Sequence, residues 1–187
     1  VAVPDPTLLT VGHGRLDEDA LGALLSGAGV QLLVDVRRFP GSRANPAVSR
    51  DALPAWLPER GIDYRWEERL GGRRRLGPDA GDDDAWWQVT AFRAYAAYTR
   101  TEEFGAAMAD LLAQARRRTV AVMCSESVWW RCHRRLVADV AVVAHGVPTR
   151  HLMHDGRLTE HSPSAGARLR PDGLVVWDAA SDPAEEG

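Results

Sequence analysis

The sequence predicts an α/β fold with three layers, a mainly parallel sheet covered by helices on both faces. Two observations carry this. The apolar runs Thr7–Val11, Val30–Val36 and Thr119–Cys124 are nearly unbroken, as strands buried on both faces of a parallel sheet read. Between them lie longer segments with apolar residues three and four apart, such as Leu21, Leu24 and Leu25, or Phe104, Met108, Leu111 and Leu112. Strands alternating with helices imply right-handed crossovers.

Taken in order, Thr7–Val11 is the first strand, closed by Gly12-His13-Gly14, and Asp17–Leu25 is a helix ended by Gly27 and Gly29. Val30–Val36 is the second strand, with Asp35 near its carboxyl end. Arg37–Asn45, rich in Arg, Gly, Ser and Pro, is a loop at the same edge. Asp51–Arg60 is helical if Pro54 lies in the first turn. Gly61–Trp66 reads as a strand, and the span from Glu67 through Arg73-Arg74-Arg75 to Asp84 as an exposed excursion. Trp86–Tyr98 and Thr101–Arg117 have helical periodicity. A helix over Val128–Ala144 follows the Thr119–Cys124 strand, Val147–Met153 is a further strand, and Gly173–Asp178 is an edge strand before a polar tail. The expectation is one domain over residues 1–187, with a C-terminal extension from residue 156.

A length of 187 residues with 45% apolar content suffices for one real core. The net charge of −3 excludes a general polycation, so any nucleic-acid surface must be a local patch. All 23 basic residues are Arg, which a GC-rich coding sequence explains as well as selection for bidentate contacts does. Two cysteines are too few for a disulfide scaffold and suit a reducing compartment. The opening Val1–Pro6 has no targeting pattern and no run approaches a membrane span, so a soluble cytoplasmic protein with no membrane partner is expected. No cofactor is expected.

In such folds ligands bind beyond the carboxyl ends of the strands. There this reading brings together Gly12–Gly14, Asp35–Arg43 and Cys124–Arg134. Cys124 ends a strand ahead of a helix, the position where rhodanese-like sulfurtransferases and cysteine phosphatases keep a nucleophile, and the expected layout distantly resembles the rhodanese one. The bulky, acidic residues after it, Glu126 and Val128–Trp130, suit an anion cradle poorly; an ordinary buried thiol is the alternative. Glu126 either caps the helix or acts as an acid–base group. Asp35 either joins that chemistry or pairs with Arg37 or Arg134. Cys132 is expected to pack beside Leu136 and Val140, with His133 beneath the loop. The spacing of Cys124, Cys132, His133 and His13 matches no standard zinc pattern, so no metal is expected. Aromatic and basic residues interleave at Trp66, Arg73–Arg75, Trp86-Trp87 and Trp129-Trp130-Arg131, as nucleotide-stacking platforms require. The adjacent tryptophan pairs cannot all point inward.

Several motifs together resemble a known prokaryotic family. They are Thr10-Val-Gly-His-Gly14, Val34-Asp-Val-Arg-Arg-Phe-Pro40 with Ser42 and Asn45-Pro46, Gly61-Ile-Asp-Tyr64, Leu70-Gly-Gly72, and Cys124-Ser-Glu126 with Cys132-His-Arg134. In this order, over about residues 8–155, they are similar to the family called domain of unknown function 488. The resemblance implies no particular activity.

The leading expectation is a protein acting on nucleic acid or a nucleotide, with hydrolysis of a base or its glycosidic bond as an extension. Glu126, Asp35, Cys124 and His133 are the catalytic candidates. His13, Arg37, Arg43, Trp66, Trp129 and Arg134 are the candidates for substrate contact. The alternatives are persulfide or redox chemistry at Cys124, and a non-catalytic protein-interaction domain.

Overall fold

The computed structural model describes residues 7–179, so Val1–Pro6 and the polar tail at 180–187 lie outside it. Its elements are β1 (Leu8–Gly12), α1 (Glu18–Gly27), β2 (Leu32–Asp35), α2 (Leu53–Trp56), β3 (Asp63–Trp66), α3 (Thr90–Tyr98), α4 (Glu102–Ala115), β4 (Val120–Cys124), α5 (Arg134–His145), β5 (Thr149–Leu152), β6 (Leu158–Glu160), β7 (Ala167–Leu169) and β8 (Val175–Trp177). The main sheet has the order β3-β2-β4-β1-β5-β6, parallel except for the antiparallel edge strand β6. Among the described residues, no helix is long and apolar enough to cross a membrane.

Strand alternation sends side chains to opposite faces, and each face has its own core. Leu8, Leu32, Val34, Val120 and Val122 pack with Tyr95, Phe104, Met108, Leu136 and Val140 from α3, α4 and α5. Leu9, Val11, Leu33, Ala121 and Met123 pack with Leu21, Leu25, Leu53 and Trp56 from α1 and α2. The near-continuous apolar strands of the sequence follow from this double coverage. Helix starts were also legible: Asp17 caps α1 through Ala20 N–H, and Thr101 caps α4 through Phe104 N–H.

Several expectations are corrected. Asp51–Arg60 forms only the short α2 and a 3₁₀ turn at Leu57–Arg60, where Pro58 removes a second backbone donor. The 67–84 span is not wholly exposed: Leu70 is buried, Glu67 is buried and takes Arg65 and Arg69, and buried Asp84 pairs with Arg100. Helix α3 starts at Thr90, not Trp86, because Trp86 N–H is spent on the Trp177 carbonyl while Trp177 N–H bonds Asp83. The expected edge strand at Gly173–Asp178 is β8, which pairs with β7 in a separate hairpin; β6 takes the edge of the main sheet.

The largest correction follows β4. A 3₁₀ turn at Trp129–Arg131 and an extended Cys132 precede α5, so no helix begins at Val128. Arg134 doubles back to donate to the carbonyls of Glu126 and Ser127, and Trp129 stacks on His151 with ring centroids 4.0 Å apart. Both contacts hold this stretch out of helical geometry.

Candidate functional site

The chain leaves β1 toward β2 on one face of the sheet and leaves β4 toward β5 on the other. Helix α1 belongs to one core and α5 to the other. The carboxyl ends of β1 and β4 are paired, Gly12 opposite Cys124, so the connections diverge there and open a crevice. Gly12 permits this closure. A Cβ at that position would lie 1.8 Å from the Glu126 carbonyl oxygen, an impossible approach. Gly12→Ala is therefore expected to lower stability by about 1–3 kcal/mol, read as a drop in the urea midpoint, and to push the 124–127 segment outward.

A cavity of about 420 Å³ occupies this crevice, within the range of small-molecule sites. Its floor includes Cys124, Cys132, His133 and Tyr95. Its walls include His13, Arg37, Ser125 and Glu126, and its mouth carries Arg38, Phe39, Arg73 and Arg131.

Asp35 and Arg37 form a fixed unit. Arg37 donates from Nε and from the backbone to Oδ1 and from Nη2 to Oδ2, with a 2.6 Å ion pair, and Tyr64 O–H donates to Oδ2 at 2.7 Å. With both oxygens engaged and no exposure, Asp35 holds Arg37 in place and is not available to a ligand. Burial and the Asp35 carboxylate push the Tyr64 hydroxyl up, keeping it a donor. His13 Nδ1–H donates to the Gly14 carbonyl, leaving Nε2 to accept from Arg37 Nη1 at 3.2 Å. Burial and the Arg37 charge lower its pKa and keep the ring neutral.

His133 precedes α5. Its Nε2–H donates to the Val36 carbonyl at 3.0 Å, and burial lowers its pKa. Gly72 lets the chain close over this ring, since a Cβ there would come within 3.0 Å of Nδ1. Glu126 is exposed at the cavity wall, and its Oε1 accepts from Val128 N–H at 3.1 Å, capping a turn rather than α5. Burial pushes the Cys124 thiol well up. Beyond Cys124 the Glu126 carbonyl, an acceptor, turns inward where an anion cradle would need N–H donors.

Arg134 is a structural group, 2% exposed and enclosed by the Cys124 sulfur and the two carbonyls, so it is not placed to contact phosphate. Arg43 is exposed but does not line the cavity. Trp66 lies outside it too, under Arg50 and bonded to the Arg37 carbonyl. Trp129 is covered by His151 and His161 on the far side of β1; of the two adjacent tryptophans there, Trp130 is the exposed one, at 48%.

The family model for Domain of unknown function DUF488 matches residues 18–141, most of the chain. The chain belongs to this family. In this DUF488 chain the matched segment includes Asp35, Arg37, Gly72, Cys124, Glu126, Cys132, His133 and Arg134, while Gly12 and His13 complete the crevice from outside it. No match was found among curated proteins or among solved structures.

Sequence reasoning placed the 35–43 loop at this edge of the DUF488 cavity and singled out Arg73–Arg75 and Arg131, but it missed Phe39. Phe39 is 63% exposed, with the Arg38 guanidinium 5.6 Å and that of Arg73 5.8 Å from its ring. Arg38 also donates to the Arg73 carbonyl, tying the loop after β2 to the arginine run. The run continues along the surface, where Arg74 lies 3.8 Å over the Tyr98 ring. A lone Phe within an Arg, Gly and Pro loop is the available signal.

Proposed function

We propose that this protein binds a nucleotide unit of single-stranded nucleic acid in the β1/β4 crevice, with its base against Phe39 and its phosphates on arginines at the mouth. One observation carries the reading. Among the described residues, Arg38, Arg73, Arg74, Arg75 and Arg131 have no carboxylate partner, and two of them flank an exposed aromatic face. Unpaired guanidinium groups beside an open ring suit phosphate and base together, and the local patch is compatible with an acidic chain overall.

Glu126 is the acid–base group of this reading. It keeps Oε2 open beside the cavity, whereas both oxygens of Asp35 are occupied. A carboxylate with a free oxygen next to an aromatic face suits activation of water against a nucleoside's glycosidic carbon.

Fluorescence anisotropy with short single-stranded DNA and RNA over a salt series tests both parts. Affinity is expected to fall as salt rises. Phe39→Ala should weaken binding by about 1–3 kcal/mol. Glu126→Gln should keep binding but stop release of free base. Absence of binding at low salt overturns the proposal; binding without base release in the wild type confines it to recognition.

A further inference from the structure

A different group on the floor of the same cavity carries a second chemistry. Arg134 is a buried cation with no carboxylate partner among the described residues, and its Nε has no hydrogen-bond partner there. A guanidinium out of water without a counter-charge is costly, and two backbone carbonyls neutralise only part of it. The remaining groups against it are sulfurs. Nη1 contacts Cys124 Sγ, and both cysteines lie close enough to Arg134 and to each other for each to shift the other's ionisation. Both are free thiols and both line the cavity.

We propose that Cys124 and Cys132 form a thiolate–thiol pair held by Arg134, which hydrogen peroxide entering through the cavity oxidises to a disulfide. The anion that Arg134 lacks is then the thiolate. Burial opposes ionisation, but interaction with the Cys124 thiol and the Arg134 charge outweigh it, so Cys132 is lowered to about 7 while its partner is pushed up. These values belong to the pair, because one negative charge is favoured beside the guanidinium and a second is not. His133 Nδ1 lies 3.6 Å from Cys132 Sγ and, with Nε2–H committed to Val36, is an acceptor facing that thiol.

Cys132, 6% exposed against 2% for Cys124, meets the oxidant. Its thiolate attacks one peroxide oxygen, the O–O bond breaks, and hydroxide leaves to take a proton from solvent, which gives a sulfenic acid. The Cys124 sulfur then attacks the Cys132 sulfur. The S–O bond breaks as the S–S bond forms, and the departing oxygen leaves as water with the Cys124 proton. Two electrons pass from the sulfurs to one peroxide. Two equivalents of a small thiol return them by exchange. Oxidation also removes the counter-charge of Arg134, so it alters the floor of the cavity. The proposal does not depend on nucleotide binding, and either can fail alone.

Thiol titration and peptide mass mapping of the full chain after peroxide treatment test it. Both thiols are expected to disappear together, with Cys124 and Cys132 recovered in one linked peptide that has lost two hydrogens, and dithiothreitol should restore both. Cys124→Ser should stop at a Cys132 sulfenic acid trapped by dimedone. The wild-type rate should rise about tenfold per pH unit below about pH 7 and level off above it, a profile that needs no variant to fold. The proposal is overturned if both thiols survive, at about pH 8, a peroxide dose that oxidises the urea-unfolded chain. Oxidation without a linked peptide, or a rate still climbing to pH 9, overturns it equally.

Discussion

Asp35→Ala is expected to lower the stability of the folded protein by about 3–5 kcal/mol, the cost of leaving a buried charge without its partner. Asp35 is fully buried and accepts from Arg37 Nε, Nη2 and backbone N–H and from Tyr64 O–H. Removing it strands the Arg37 guanidinium with only His13 Nε2 and the Val48 carbonyl. It also leaves the Tyr64 hydroxyl without its acceptor. Urea unfolding measures the loss. Adding Arg37→Leu should recover part of it, because the double variant carries no orphaned charge. A loss under about 1 kcal/mol would mean that Arg37 swings into the cavity and is solvated there.

The second large effect is acid lability. Thr10, His151, His161 and Asp139 form a buried chain of hydrogen bonds, at 2.6 Å from Thr10 to His151, 2.9 Å between the rings and 2.7 Å from His161 to Asp139. The Asp139 carboxylate must accept, so His161 Nε2–H donates to it. His161 Nδ1 then accepts from His151 Nε2–H, and His151 Nδ1 from the Thr10 hydroxyl. Every group in this hydrogen-bonded chain then has a partner. Burial, the neighbouring His161 and the Arg134 charge lower His151 to about 3. In the unfolded chain His151 takes up a proton below its ordinary value of 6.5, whereas in the fold it stays neutral until about 3. The unfolded state therefore binds more protons throughout that window, and stability falls as pH drops through it. At about pH 5 the loss from His151 alone is about 2 kcal/mol. His13 and His133, also lowered, add to it with the same sign. Urea midpoints at about pH 7.5 and pH 5 measure the slope, and equal midpoints would show that His151 is protonated in the fold.

The parts of the fold that could be read in advance are those where local pattern and tertiary position agree. Val30–Val36 is apolar at nearly every position because β2 is buried on both faces, and Asp17 and Thr101 announce their helices by capping them. The failures have a common cause in long-range contacts. Arg134 reaches back to carbonyls of the 126–127 segment and Trp86 is tied to Trp177, so two helices start later than their periodicity suggests. The candidate site divides in the same way. Cys124, Glu126, His133, His13 and Arg37 line one cavity because the strand ends that carry them converge. Arg73 reaches the mouth from an excursion whose return to the crevice depends on Gly72 closing over His133, a contact that no periodicity encodes.

Asp139 has a consequence for any shortened version of this protein. Besides His161, its carboxylate is served by Ser164 N–H and the Trp177 indole N–H, and Trp177 is fully buried. All three donors lie beyond residue 141, as do β5 and β6 of the main sheet. A chain trimmed to the matched segment would lose all three donors of this carboxylate and uncover the apolar face of α5. The stretch by which the family is recognised is thus shorter than the packed unit, and a boundary for expression is expected to work best after Trp177.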